Sequence, residues 1–318
     1  TMNKLLKSFW SKNFKNKPTR YFISPGRYEI VGNHTDHNRG LALVAGASLL
    51  VEALVNKTKN NQITIVSQGI GKCSFVAKAT KPNKKEFGKF VALCKGIVSG
   101  FVKNGYKVGG FDAACVSDVI VGGGVSSSAA FEILIGQIIS LLYNGEAIDA
   151  VTLAIIGQYA ENVYFGKPCG LMDQMACSVG SMVHIDFADV NNPRVEKIDF
   201  DMNSHGYALC ITDTKGSHAD LTDEYAAILK EMKDIAGYFN REVLLGVSVK
   251  DILDNAAALR ELYSDRAVLR ALHFIRENTR VRKETEALKR DNTEEFLAQV
   301  KASWDSSFKY LQNVYFLI

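Results

Sequence analysis

An α+β fold in two domains is what this chain predicts. Its 318 residues exceed the size at which one hydrophobic core keeps growing, so two cores are expected. Residues 1–200 interleave strand-like and helix-like segments without strict alternation, and the pattern turns mostly helical from Thr222 onward. The turn Asn191-Asn192-Pro193 falls close to that change. It divides the chain into a mixed-sheet N-terminal domain, 1–200, and a helix-rich α+β C-terminal domain, 201–318.

Residues 21–27 read as a short strand ending in a Pro25-Gly26 turn, and residues 28–32 as a second strand. Residues 41–56 are apolar and partly β-branched, and residues 62–67 alternate with period two, so both predict strands. Apolar side chains at Phe87, Phe90, Val91, Cys94, Ile97, Val98, Phe101 and Val102 have helical spacing, and 111–116 return to strand. Helices follow at 129–143, 147–165 and 171–178, then strands at 181–187 and 207–213. Asp251 and Asp265 mark helix starts, and Asn292 opens a further helix with Glu294 and Glu295 in its first turn.

A hydrophobic fraction of 47% with 23% charged residues is that of a water-soluble globular protein, and no apolar run is long enough to span a bilayer. The N-terminal Lys4 and Lys7 flank no signal-like apolar core, so a cytoplasmic protein without a membrane partner is expected. The six cysteines form no Cys-x-x-Cys pair and read as reduced side chains, mostly buried. The net charge of +4 collects in lysine-rich segments with only Phe9, Trp10 and Phe14 nearby, so no nucleic-acid partner is expected.

Val121-Gly122-Gly123-Gly124-Val125-Ser126-Ser127-Ser128 runs directly into a helical segment. Glycines let backbone approach a ligand, serines supply hydroxyls and a cap, and a helix start presents unpaired N–H groups at its positive dipole end. Such a loop suits nucleotide phosphates; a tight turn before a capped helix is the competing reading. The P-loop lysine spacing and the protein-kinase His-Arg-Asp loop are both absent, which implies a different phosphate-handling fold.

Two further clusters stand out. Gly32-Asn33-His34-Thr35-Asp36-His37-Asn38 is polar between apolar segments, which fits a hydroxyl-rich ligand such as a sugar. A metal on His34, Asp36 and His37 is the alternative, although the spacing lacks helical presentation. Lys167-Pro168-Cys169-Gly170-Leu171-Met172-Asp173 sets an acid at a helix start, where Asp173 is either a site residue or an ordinary dipole-satisfying acid.

In this order, with Gly26-Arg27 ahead of them, the three clusters resemble the galactokinases of the GHMP small-molecule kinase superfamily over nearly the whole chain. Segments 217–225 and 310–315, and Arg276-Glu277-Asn278, add to the likeness. The resemblance implies a two-domain GHMP kinase fold and ATP-dependent phosphorylation of D-galactose at its anomeric hydroxyl, giving α-D-galactose 1-phosphate. It further implies ATP and Mg²⁺ as cofactors and a monomer. By position, Asp173 matches the catalytic aspartate, with Arg27 beside it. Asn33, His34, Asp36, Gly170 and Tyr225 match the galactose pocket. Gly122, Gly123, Gly124, Ser126, Ser127 and Ser128 match the phosphate loop, and Ser128 and Glu161 the Mg²⁺ contacts.

The pattern also departs from the family. Asn33 stands where most galactokinases carry glutamate, His37 where many carry tyrosine, and Ile120 where proline is frequent. An amide lacks the charge that strengthens a bond to a hydroxyl, so sugar preference is expected to shift. Galactokinases continue beyond the 310–315 segment to a third glycine-rich motif with no counterpart here. An open sheet edge and impaired activity are expected from that. Alternatives are a GHMP kinase for an amino sugar, uronic acid or arabinose, and a non-catalytic galactose and ATP sensor or degenerate fragment.

Overall fold

Two compact units organise the chain: Thr1–Tyr28 with Gly46–Gly180, and Glu29–Ala45 with Ser181–Ile318. The computed structural model describes residues 4–145, 147–212 and 222–314. Of the segments quoted above, residues 1–3, 213, 217–221 and 315 lie outside the described residues. Residue 200 falls inside the second unit.

In the first unit, α1 (Lys4–Asn13) is amphipathic and buries Leu6 and Trp10 against Leu54, Ala114 and Val116. Strands β1 (Arg20–Val31) and β2 (Leu41–Lys57) pair with each other, and each contributes residues to both units. The sheet order here is β4 (Gly71–Val76), β3 (Gln62–Ser67), β5 (Phe111–Ser117), β2. Strands β3 and β5 are parallel, with Ile63 beside Phe111, whereas β2 and β5 are antiparallel, with Val51 opposite Ser117. One face supplies Val51, Ala53, Val55, Ile63, Ile65, Ala113 and Cys115 to the core, the period-two pattern of a covered sheet.

The cover comprises α2 (Phe90–Lys103), α3 (Ser127–Asn144), α4 (Ala150–Tyr159) and α5 (Met172–Val179). Helix α3 is central: Ile133, Leu134, Ile135, Ile138 and Ile139 are all sealed from solvent, as expected for a helix apolar on nearly every side. Helix α4 continues into a π-helical turn, Ala160–Phe165, that ends at Gly166 with φ of 81°. π-turns inside helices are frequent at functional sites.

Residues 20–31 form one strand rather than two with a turn between. Pro25 is tolerated because β1 pairs with β2 on one side only among the described residues. Gly26 does not turn the chain; it lets the strand press against the glycine–serine loop, where an added Cβ would lie 2.8 Å from the Val125 carbonyl oxygen. Gly26→Ala is therefore expected to destabilise by about 1–3 kcal/mol, read as a lower urea midpoint at unchanged slope.

In the second unit the start of β2 pairs with β6 (Val183–Asp186), and β6 with β7 (Arg194–Lys197). The helices are α6 (Thr222–Tyr238), α7 (Val249–Asp254), α8 (Ala256–Leu262), α9 (Asp265–Lys289) and α10 (Thr293–Ser306). Caps set their starts: Ser248 and Asp251 form a capping box, Ser264 accepts from the Ala267 N–H, and Asn292 accepts from the Glu295 N–H. The long α9 packs Ala267, Val268, Ala271 and Phe274 with Ile228 and Met232, then Val281, Ala287 and Leu288 with Val31, Leu41 and Leu43.

Residues 207–212 are not a strand, contrary to their alternating pattern. They pair with no strand among the described residues, and Tyr207, Leu209 and Ile211 stay about 40% exposed, so alternation has nothing to bury against. Among the described residues no helix is long and apolar enough to cross a membrane. No cysteine is bridged: Cys73, Cys94, Cys115 and Cys177 are buried, Cys169 is half-buried and Cys210 is exposed.

Candidate functional site

The glycine–serine loop joins β5 to α3. Gly122 and Gly124 take φ of 75° and 73°, which bulkier residues rarely adopt, and an added Cβ at either would meet nothing within 4 Å. The loop thus exposes bare backbone. Ser126 also adopts φ of 55°, and its hydroxyl does not cap α3. The Ala130 N–H reaches the Ser126 carbonyl, which leaves the first N–H groups of α3 for an anion.

The Ser126 hydroxyl instead donates to Asp173 Oδ2 at 2.5 Å. Arg27 Nε donates to Asp173 Oδ1 at 2.8 Å, and its Nη1 donates to the Gly124 carbonyl at 2.6 Å. The carboxylate, the guanidinium and the loop therefore form one hydrogen-bonded group, with Asp173 at the start of α5. Burial pushes the Asp173 carboxyl up, but the charge and hydrogen bond of Arg27, joined by Ser126 and Lys167, outweigh it and hold its pKa below the ordinary aspartate value. About a third of the Asp173 side chain stays open to solvent.

A second polar group is built on the first turn of α3. Ser128 Oγ donates to Glu161 Oε1 at 3.0 Å, and Lys167 Nζ approaches the same oxygen at 3.4 Å. Partial desolvation pulls the Lys167 pKa down, but the charge and hydrogen bond of Glu161, joined by Asp173 and Cys169, together outweigh it and hold it above the ordinary lysine value. Gln174 Nε2 bonds Glu161 Oε2 at 2.9 Å and Glu132 Oε2 at 3.0 Å. Burial, followed by the nearby Glu161 charge, pushes the Glu132 carboxyl well above the ordinary glutamate range. No three His, Cys, Asp or Glu side chains converge as a metal site among the described residues. A hydroxyl and a carboxylate 3.0 Å apart fit Mg²⁺, which takes few protein oxygens and completes its shell with water and phosphate.

In the second unit, the polar loop between β1 and β2 is pinned from several sides. Glu277 accepts from the Gly32 N–H and from Ser303 Oγ, and Asn278 Oδ1 accepts from the Leu41 N–H at 2.6 Å. Arg276-Glu277-Asn278 is thus an anchor for the loop. Asn38 is sealed, accepting from the Leu244 N–H. His273 Nε2 donates to the Asn33 carbonyl, and the Asn33 amide donates to Ser307 Oγ at 3.0 Å. His34 packs its ring 4.9 Å from Tyr225, which is 58% exposed on α6. Burial, then the charges of His37, His273 and Arg270, push the His34 pKa down to about 3, so its neutral ring offers one donor and one acceptor. Asp36 accepts from the His37 N–H at 2.9 Å. Gly170, assigned to the first unit, sits half-buried in the turn before α5.

Comparison with known proteins matches residues 92–181 to the family described as GHMP kinases N terminal domain, and residues 8–57 to the galactokinase galactose-binding signature. A galactokinase of Clostridium tetani is 30% identical over 298 residues, covering 93% of this chain and 74% of the relative. This chain belongs to the galactokinase family. A second galactokinase, of Glaesserella parasuis, is also 30% identical, covering 89% of this chain and 73% of its own length. The crystal structure of Lactococcus lactis galactokinase complexed with galactose superposes with a TM-score of 0.78 at 21% identity, over 97% of this chain and 79% of that one. The architecture is accordingly the GHMP kinase fold.

The structure adds three residues to this galactokinase-family site: Lys167, Gln174 and Glu132. Glu132 carried a usable signal, being the one acid in the otherwise apolar α3. Lys167 and Gln174 carried none, because charged and amide residues near a helix start are common.

Proposed function

We infer that the chain phosphorylates D-galactose with ATP at the anomeric hydroxyl, giving α-D-galactose 1-phosphate and ADP. The observation that carries this is the hydrogen-bonded group of Asp173, Arg27 and the glycine–serine loop at the open start of α3, in a galactokinase-family chain. In this reading the loop N–H groups of residues 122–128 hold the nucleotide phosphates. Asn33, His34, Asp36, Gly170 and Tyr225 recognise the sugar hydroxyls. The Asn33 amide donates to Ser307 Oγ, and in this reading its side-chain oxygen accepts from the sugar. Asp173 and Arg27 serve the reacting hydroxyl.

The bond formed joins the anomeric oxygen to the terminal phosphorus, and the bond broken frees ADP. Asp173, with its pKa held low, is ionised at neutral pH and a weak base. Weakness suffices, because phosphoryl transfer passes through a loose transition state and the hydroxyl proton can leave late, toward Asp173. Arg27 both orients that carboxylate and sets a fixed positive charge beside the transferring group. Ser128 and Glu161 would hold Mg²⁺, which supplies charge neutralisation on the phosphates. We place the enzyme in the cytoplasm with its ATP supply, as a monomer.

A coupled assay of ADP release with Mg-ATP tests the reading. Turnover is expected to rise with added galactose and to exceed that with amino sugars, uronic acids or arabinose. ADP release indifferent to every sugar would replace the kinase by a sensor.

A further inference from the structure

Glu132 and Gln174 are 1% and 0% exposed, and the Gln174 amide nitrogen lies within hydrogen-bonding reach of Glu132, Glu161 and, at 3.7 Å, Cys169 Sγ. Gln174 Nε2 bridges two carboxyl groups: Glu132 Oε2 on α3 and Glu161 Oε2 on the π-helical turn. The other Glu161 oxygen is left to Ser128 and Lys167. An amide nitrogen has two N–H donors fixed in one plane, so anchoring the first on Glu132 sets the direction of the second. The backbone makes room for this bridge. A Cβ on Gly157 of α4 would lie 3.1 Å from both Gln174 Cγ and Glu132 Oε2.

Packing alone does not account for the bridge. Glu132 Oε1 and Gln174 Oε1 are buried without a hydrogen-bond partner, a stability cost that an apolar pair of the same volume would avoid. What the arrangement gains is a fixed Glu161: a free glutamate turns about several bonds, and this one is held at Oε2 so that Oε1 faces Ser128. We propose that Glu132, acting through Gln174, is a positioning residue that aims the Glu161 carboxylate at the cation accompanying the nucleotide phosphates. The proposal rests on the assignment of Glu161 to that cation.

The test uses the whole chain with ADP and Mn²⁺ as a paramagnetic probe, alongside calorimetry with galactose. E132L and Q174M, which remove an acceptor and both donors respectively, are expected to weaken Mn²⁺ binding about tenfold while the galactose Kd stays within about twofold. E132Q keeps an acceptor for the Gln174 amide and is expected to bind Mn²⁺ within about twofold of wild type. Mn²⁺ binding unchanged in E132L and Q174M overturns the brace, as does E132Q falling as far as E132L, which would make negative charge the active property. Should E132L fail to fold, Q174M and E132Q decide. A wild-type chain that binds galactose but no Mn²⁺ removes the Glu161 assignment and the brace together. A wild-type chain that binds Mn²⁺ as strongly as its variants removes only the brace.

Discussion

Asp173→Asn is expected to lower kcat about a thousandfold while changing the galactose Kd by less than about threefold. The substitution keeps size and shape, and Ser126 can still donate to the amide oxygen, so the loop holds its place. It removes the negative charge that Arg27 faces at 2.8 Å and, with it, a carboxylate able to accept the hydroxyl proton. The loss should thus fall on the chemical step. Steady-state kinetics together with calorimetry separate the two quantities, and a parallel fall in both would make Asp173 a structural acid. Because the carboxyl pKa lies below the ordinary aspartate value, wild-type kcat/KM is expected to persist as pH falls through the usual carboxylate range.

Glu284 should make the protein less stable as pH rises. It is fully buried on α9, beside the apolar face of Val281, Ala287 and Leu288, and neither carboxyl oxygen has a hydrogen-bond partner. Burial, reinforced by Glu277 and opposed by Arg280, pushes its pKa up to about 9. In the unfolded chain a glutamate ionises near pH 4.3, whereas the folded one stays protonated, so between those values the folded state binds more protons. Stability is therefore lost as pH increases through that window, at up to about 1.4 kcal/mol per pH unit. Glu284→Gln removes the titration. Relative to it, the wild type is expected to lose about 3 kcal/mol between pH 5 and pH 7.5 in urea unfolding. Parallel stability curves for the two proteins would show that Glu284 reaches solvent or a counter-charge.

Legibility in the sequence followed how local each determinant is. Strands β2, β3 and β5 and helices α2 and α3 declare themselves by period, because each buries one consistent face. Pro25-Gly26 misleads, since the usual turn pair serves here for a close backbone approach to Val125, a contact with a residue far along the chain. Residues 207–212 mislead for the opposite reason, their alternation having no paired strand among the described residues. Helix α1 went unread because only Leu6 and Trp10 are buried on a lysine-rich segment. At the site, the glycine–serine loop and Asp173 were visible as motifs. That Ser126 would abandon its cap to hold Asp173, and that Gln174 would bridge two glutamates, depends on tertiary distance alone.

The second unit has an unusual dependence on the order of synthesis. Part of its apolar cluster, Val31, Leu41, Leu43 and Ala45, leaves the ribosome long before its partners Val281, Ala287, Leu288 and Phe296. The first unit can close around residues 46–180 while 29–45 wait as an unfinished loop, greasy and available to chaperones. Completion then demands contacts spanning some 240 residues, a large loop-closure entropy and a high contact order. Refolding from denaturant should accordingly show the first unit's signals recovering ahead of the second's, and a fragment of residues 181–318 expressed alone should lack the strand its sheet is built upon.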